Sequence, residues 1–315
     1  CKPHSASYAR VSFQAAYLKV HFPAAFMAAV ISNGGGFYSA FAYVSEARRL
    51  GLTVLPPDVE KSRIRWRSEG PAAIRVGLCA VKDLSAAAAD RIVAERNQRP
   101  FSGAADVFNR VRPDETEARA LILCGALDRC SGNGSRAGLL WQFARWKKER
   151  EQKRSRPADA LFSSTPTDIP PPPLPAEDPL ARLRREFSVL GFLCDRHPMA
   201  LYADSLKQTG VKKTRDLPAL AGRRVQTAGW LITGKRVRTK KGDPMEFLTF
   251  EDETGLVETV FFPGVYDRFA PIIDFNRPYR LWGKVETDWG AATLNVEKIA
   301  PLPRIGESAE KKEAF

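Results

Sequence analysis

The chain has 315 residues, with 49 Lys and Arg against 36 Asp and Glu and a formal net charge of +13 at pH 7. In a length that suggests about two domains, such a cationic excess selects an acidic partner, nucleic acid first and an anionic membrane surface second. No apolar run approaches the ~20 residues of a bilayer span, and CKPHSASYARVSF has no uninterrupted apolar core of the kind a secretory leader carries, so spanning and secreted classes are set aside.

The spacing of Tyr8, Val11, Ala15 and Leu18 predicts a helix over 5–31, capped by Ser5 or Ser7 and renewed at Pro23. Asn33-Gly34-Gly35-Gly36 breaks it, a further helix covers about 37–50, and Pro56-Pro57 makes 52–62 extended. Between 72 and 141 two similar helical units follow. The first has a turn at Lys82-Asp83-Leu84-Ser85 before a helix over 86–96. The second has a helix over 117–123, a turn at Cys124-Gly125-Ala126, a loop through 131–134 and a helix over 136–150. Composition then changes abruptly: 145–156 holds seven basic residues and 163–179 holds seven prolines, which predicts a polyproline-rich linker with no packed core. A helix resumes at 180–194. From 223 to 298 five short strand patterns alternate, with a small helix near 264–270 between the third and fourth, the outline of an OB-fold barrel. The last dozen residues read as a frayed tail.

Such barrels hold single strands with a basic groove and aromatic rings that stack on bases, worth ~1–3 kcal/mol per base. Lys235, Arg236, Arg238, Lys240 and Lys241 cluster at the end of the first strand and its turn, and Trp230, Phe247, Phe250, Trp282 and Trp289 supply rings, some of them for the core. Trp230 and Phe247 are the rings assigned to the single strand; the other reading is a barrel that only packs against its neighbours. The paired helical units resemble tandem helix-hairpin-helix modules, which offer backbone N–H groups at a helix start to a duplex phosphate. Lys82, Ser85, Arg91, Gly125 and Arg136 are the expected duplex contacts, although Asp83-Leu84-Ser85 stands where such hairpins usually carry Gly-hydrophobic-Gly.

Metal chemistry finds little support. Glu251, Asp252 and Glu253 are consecutive on a strand end, so their side chains cannot all converge, and a hairpin turn accounts for them. Five scattered cysteines with no CxxC pair, and only His4, His21 and His197, predict no metal site and reduced thiols in a cytoplasmic setting. His4 and His197 suit capping or helix-end roles better than catalysis. Leu161-Phe162 is a pair of large apolar residues beside a proline-rich linker. Short peptides ending in Leu-Phe insert into a pocket of the bacterial sliding clamp, and chance is the rival explanation, since the usual leading Gln is absent.

Lys2 to Ala9, Ala16 to Lys19, His21 to Ala29, Glu46 to Gly51, Leu55 to Val59, Gly77 to Lys82, Cys124 to Asp128, Leu190 to Phe192, His197-Pro198, Gly229 and Glu251 to Gly255 together resemble the bacterial DNA polymerase III alpha-subunit family, in that family's order and over nearly the whole chain. The resemblance implies a multidomain α+β chain: the helical end of a fingers domain at 1–62, a tandem helix-hairpin-helix region at 63–156, and a Pro-rich linker with a clamp-binding peptide at 157–179. A helical connector at 180–222, a five-stranded OB-fold barrel at 223–302 and a tail at 303–315 complete it. It assigns Asp159, Leu161 and Phe162 to the clamp peptide and sets Lys2, His4, Ser5 and Tyr8 near the incoming nucleotide. It leaves the catalytic carboxylates, and the Mg2+ they hold in the parent polymerase, outside this sequence, so no catalytic residue and no bound cofactor is expected here.

Two features incline the resemblance toward the error-prone, damage-tolerant branch: the form of Asn33 to Ser39, and a chain that stops soon after the barrel. The absence of Met at position 1 predicts a start inside a longer protein. Duplex and single-stranded DNA, the sliding clamp and other damage-tolerance polymerase subunits are the implied partners, with no membrane. The rival readings are a stand-alone single-strand-binding or repair scaffold, a fragment of a replicative alpha subunit, and a helical adaptor with a structural barrel.

Overall fold

The computed structural model describes residues 2–34, 38–131, 135–154, 172, 177–275, 277–288 and 291–305. Contacts divide the chain into a helical unit, 1–33 with 52–194, and a barrel unit, 34–51 with 195–315.

The N-terminal helices are α1 (Lys2–His21), α2 (Pro23–Asn33) and α3 (Ala40–Arg49). Pro23 opens α2 at a first-turn position, where its missing N–H is no loss. Ala24, Met27, Ala28 and Ile31 recur at helical spacing and are its buried residues. In the helical unit α2 packs on a three-stranded sheet ordered β1 (Thr53–Leu55), β3 (Ala73–Arg75), β2 (Arg67–Ser68). That sheet was legible only as an extended segment.

Arg75, 5% exposed, ties the sheet to its surroundings: Nε and Nη2 donate to Glu69 at 2.5 and 2.8 Å, and Nη1 donates to the Pro56 carbonyl at 2.9 Å. The hydrogen bond from Arg75, with a second from Arg67, outweighs the cost of burial and holds the Glu69 carboxyl down at about 2. A carboxylate whose pKa falls on folding stabilises the fold above its unfolded value, and that stability is lost as the pH drops through the folded one. Acidification from about pH 5 to about pH 2 is therefore expected to remove about 2 kcal/mol from the helical unit, less than the full shift because the pair touches solvent. Glu69→Gln should flatten this acid limb in denaturant titrations; an unaltered limb would remove Glu69 from the account.

Five further helices complete the helical unit: α4 (Ala86–Gln98), α5 (Ala104–Val111), α6 (Glu115–Leu123), α7 (Arg136–Arg154) and α8 (Pro179–Leu190). Ser85 caps α4, Asp114 and Glu117 form a capping box on α6, and α8 starts with Asp178 and Pro179 and ends on Gly191 at φ 76°. The helix predicted to 194 thus stops at 190. α5 was not expected at all, being only eight residues long. It buries Val107, Phe108 and Val111, and the Phe108 ring meets Phe143 of α7 at 5.2 Å.

In the barrel unit, α9 (Ala203–Lys207) precedes β4 (Arg224–Arg238), β5 (Pro244–Glu251), β6 (Leu256–Phe261), α10 (Pro263–Phe269), β7 (Pro278–Asp288) and β8 (Ala291–Pro301). The strands close as β4-β5-β6-β8-β7, with β6 and β8 parallel and every other pair antiparallel. β4 closes the ring because it is long: 224–230 pair with β7 and 230–238 with β5, across a register shift between Leu231 and Thr233. Leu231, Leu248, Phe250, Phe261, Tyr279, Leu281 and Leu294 fill the interior, and α10 adds Tyr266 and Phe269.

The expected boundaries change in two places. α3, assigned by sequence to the 1–62 segment, belongs to the barrel unit: Phe41 meets Trp230 and His197 at 5.5 and 5.4 Å, and Arg49 Nη1 donates to Glu251. α8, assigned to the 180–222 connector, belongs to the helical unit, where the Lys82 N–H donates to the Val189 carbonyl.

Candidate nucleic-acid interface

In the helical unit the first hairpin turns through Asp83 at φ 64°, a left-handed conformation that glycine would adopt more easily. Ser85 Oγ accepts from the Ala88 N–H at 3.1 Å and donates to Glu117 Oε1 at 2.5 Å. Arg91 Nε donates to the Val111 carbonyl, and its Nη2 lies 3.8 Å from Glu117 Oε2. Glu117, 6% exposed, thereby joins the two hairpins. Sequence reasoning passed it over because its partners are 32 and 26 residues away. Ser85 and Arg91, expected on a phosphate, serve that internal junction.

Gly125 and Arg136 need correction too. Gly125 turns at φ 84°, and a Cβ there would stand 2.2 Å from Arg136 Nη2. The Arg136 guanidinium is 6% exposed and bonded to both Asp128 oxygens, at 3.0 and 2.9 Å, and to the Leu123 carbonyl at 2.6 Å. The glycine admits an arginine that caps α6, and that arginine cannot also reach a phosphate. Of the five expected duplex contacts, Lys82 presents an exposed side chain with no ion pair among the described residues.

In the barrel unit the β4–β5 hairpin gathers the expected single-strand residues. Lys235 stands opposite Phe247, which is 41% exposed. Arg236 lies over the Tyr266 ring at 5.3 Å, and Arg238 Nη1 donates to the Gly242 carbonyl, holding the turn that presents Lys240 and Lys241 to solvent. A cleft of about 560 Å³ opens among Arg236, Val237, Arg238, Pro244 and Tyr266. Burial pushes the Glu246 carboxyl up, against the pull of Arg236. Trp230 is the exception: at 3% exposure, against Phe41, its ring is a core ring with no face for a base. Phe250 is likewise interior.

The acidic turn is a structural device. Asp252 Oδ1 accepts from the Thr254 N–H and hydroxyl and the Gly255 N–H, and its Oδ2 accepts from the Thr214 N–H. Glu253 pairs with Lys213, and Glu251 turns inward to His197 and Arg49. The three carboxylates diverge, and no metal-holding group of His, Cys, Asp or Glu occurs among the described residues. His4 and Tyr8 meet edge-on at 4.6 Å on α1, with Ser5 exposed beside them; of Lys2 only the backbone is described. Asp159, Leu161, Phe162 and Trp289 lie outside the described residues. No described helix is long and apolar enough to cross a membrane.

Residues 51–138 match the family described as a helix-hairpin-helix motif, and 225–302 the family described as an OB-fold nucleic acid binding domain. An error-prone DNA polymerase of Symbiobacterium thermophilum is 29% identical over 96% of this chain and 32% of its own length. An error-prone DNA polymerase of Anaeromyxobacter dehalogenans is 31% identical over 95% and 26%, and the DNA polymerase III subunit alpha of Halalkalibacterium halodurans is 31% identical over 99% and 28%. The chain is a relative of the bacterial DNA polymerase III alpha subunits. It spans about a quarter to a third of the length of the curated relatives it matches. In this polymerase relative the two matched regions coincide with the paired hairpins and the closed barrel.

Proposed function

We propose that this chain supplies the DNA-holding and clamp-tethering part of a DNA-directed DNA polymerase of the error-prone, damage-tolerant kind, with bond formation carried out by carboxylates and Mg2+ on a segment outside this sequence. The observation that carries the reading is the exposed cationic hairpin of Lys235, Arg236, Arg238, Lys240 and Lys241 around Phe247, on a barrel matched to a nucleic-acid-binding family. The paired hairpins, with Lys82 exposed on the first, take duplex product; the barrel hairpin takes single-stranded template, cations on the phosphates and Phe247 against a base. Lys2, His4, Ser5 and Tyr8 approach the incoming nucleotide. Two of the quoted relatives support the error-prone assignment by name, and one is named as a replicative subunit.

Fluorescence anisotropy with duplex and single-stranded oligonucleotides at two salt concentrations tests this directly. The double change Lys240→Glu, Lys241→Glu is expected to weaken single-strand affinity at least tenfold, with the salt slope falling by about 0.7 per lost phosphate contact, and to leave duplex affinity nearly unchanged. Equal losses on both would move the single-strand site elsewhere, and no binding at low salt would end the reading. Primer extension by the purified chain with Mg2+ should be absent; extension by a contaminant-free sample would contradict it.

For tethering, Asp159, Leu161 and Phe162 form the peptide, and a tethered enzyme gains effective concentration at the primer end. Leu161→Ala with Phe162→Ala is expected to abolish pull-down by the sliding clamp while DNA affinity stays as it was. Retained pull-down would exclude the peptide.

A further inference from the structure

Cross-strand register draws a row of residues around the barrel, exposed at both ends and covered in the middle at Val260, which is 8% exposed. Lys235 is opposite Phe247, Phe247 opposite Val260, Val260 opposite Asn295, Asn295 opposite Lys284, and Lys284 opposite Arg224. One end of this row lies at the β4–β5 hairpin and the other adjoins Trp282. There the pairing is irregular: Trp282 faces Lys298 and Gly283 faces Val296, so Glu297 is an extra residue in β8. Bulges re-aim side chains. Here Glu297 and Lys298 are both exposed while Val296 and Ile299 are buried.

The result is a cation–aromatic stack that sequence alternation alone would not produce. Lys298 Nζ lies 5.0 Å from the Trp282 ring centroid and Arg280 Cζ 5.2 Å from it. Glu297 turns to Arg224 at 2.9 Å, so neither Lys298 nor Arg280 has a carboxylate within ion-pair distance among the described residues. The neighbouring row, Thr249, Glu258, Thr293 and Glu286, carries two carboxylates that would repel a phosphate chain and bound the path on that side.

We infer that the single strand held at the β4–β5 hairpin continues onto the β7–β8 face, where Arg280 and Lys298 each take a backbone phosphate and Trp282 fixes the position of both cations. This inference rests on the single-strand reading above and adds a second contact region to it. The rings at both ends of the row, Phe247 at the hairpin, 41% exposed, and Trp282 here, favour a nucleic-acid strand over an acidic peptide, because bases stack on aromatic faces and an acidic peptide needs only the cations.

The test uses the full chain and fluorescent oligothymidylates, one short enough to cover only the hairpin and one long enough to reach β7 and β8. Arg280→Gln with Lys298→Gln is expected to weaken the long oligonucleotide about tenfold and reduce its salt slope by about 1.4, two phosphates at about 0.7 each, with the short one unaffected. Trp282→Leu, which keeps both charges, should lose about threefold, restored by Trp282→Phe. Melting curves matching the parent chain show that the variants fold. If the double Gln variant binds the long oligonucleotide as the parent does while Lys240→Glu, Lys241→Glu loses it, the path ends at the hairpin and this inference alone fails. If the parent chain binds no single strand, both readings fall. Polyglutamate binding that depends on Arg280 and Lys298, with oligonucleotide binding that does not, overturns the inference in favour of an acidic peptide.

Discussion

Glu251→Ala is expected to destabilise the barrel unit by about 3–5 kcal/mol. The Glu251 carboxylate has no solvent exposure, and its Oε1 lies 3.0 Å from His197 Nε2 while its Oε2 accepts from Arg49 Nη1 at 3.4 Å. His197 Nδ1 accepts the Met199 N–H at 3.1 Å, so the ring proton sits on Nε2 and the imidazole donates to the glutamate. One buried carboxylate therefore fastens α3 and the His197 turn to the end of β5. Truncation strands His197, 5% exposed, with no acceptor, and the loss follows from that orphaned donor more than from the attraction removed. Urea unfolding, with hydrogen exchange of the barrel amides to isolate this unit, measures the effect. Pairing Glu251→Leu with His197→Leu should recover part of it, because the buried imidazole donor leaves together with its carboxylate, while the Met199 N–H and Arg49 still lose the acceptors they have here. A loss below about 1 kcal/mol for Glu251→Ala would mean that the junction contributes little.

The second large effect is expected at Gly283. A Cβ there would lie 2.2 Å from the Asn295 carbonyl oxygen, 2.9 Å from its carbon and 3.1 Å from the Val296 Cα, all backbone atoms of the paired strand. Side chains can swing away from a new methyl, but a hydrogen-bonded strand moves only by giving up its ladder. Gly283→Ala should cost about 3 kcal/mol, at the upper end of overpacking, and raise exchange rates along β7 and β8. Gly264→Ala is the control: nothing lies within 4 Å of its Cβ and it sits in a helix, so a neutral or slightly stabilising result is expected. If both alanine variants melt together with the parent chain, the strand shifts more easily than this packing implies. Because Gly283 adjoins the bulge, its replacement should also weaken long single strands, whereas Gly264→Ala should not.

Much of the fold was legible because the signals are local. Alternation placed all five barrel strands within a few residues of their observed ends, and the turn ending at Ser85 and the proline at 23 marked helix starts, whereas Ser5 and Ser7, expected as caps, lie inside α1. The misses share a different character. α5 is too short for periodicity to declare itself, and the three-stranded sheet is built from strands of two and three residues. α3 had the right length but the wrong neighbours, since nothing within 40–49 says that Phe41 will rest on Trp230.

The candidate site divides along the same line. Cationic side chains at the β4–β5 hairpin could be named from sequence because a tight turn exposes whatever it carries. Arg280, Trp282 and Lys284 share one face at every second position and could have been found the same way; Lys298 could not, because it faces Trp282 only through an extra residue in β8. Arg136, Ser85 and Arg91 have internal partners that the sequence did not reveal, for the converse reason. A guanidinium or hydroxyl suits a phosphate or an internal carboxylate equally well, and only the folded positions of Asp128 and Glu117 decide which it meets.

The sequence by itself determined the charge that favours an acidic partner, the order of helical hairpins, proline-rich segment and barrel, and the likeness to a polymerase family, since each depends on residue type and short spacing. Only the tertiary structure decided which polar groups remain available to a ligand. That depends on long-range partners such as Glu251 with His197 and Glu117 with Ser85. A charged or polar side chain goes to whichever counter-group the fold brings within hydrogen-bond distance.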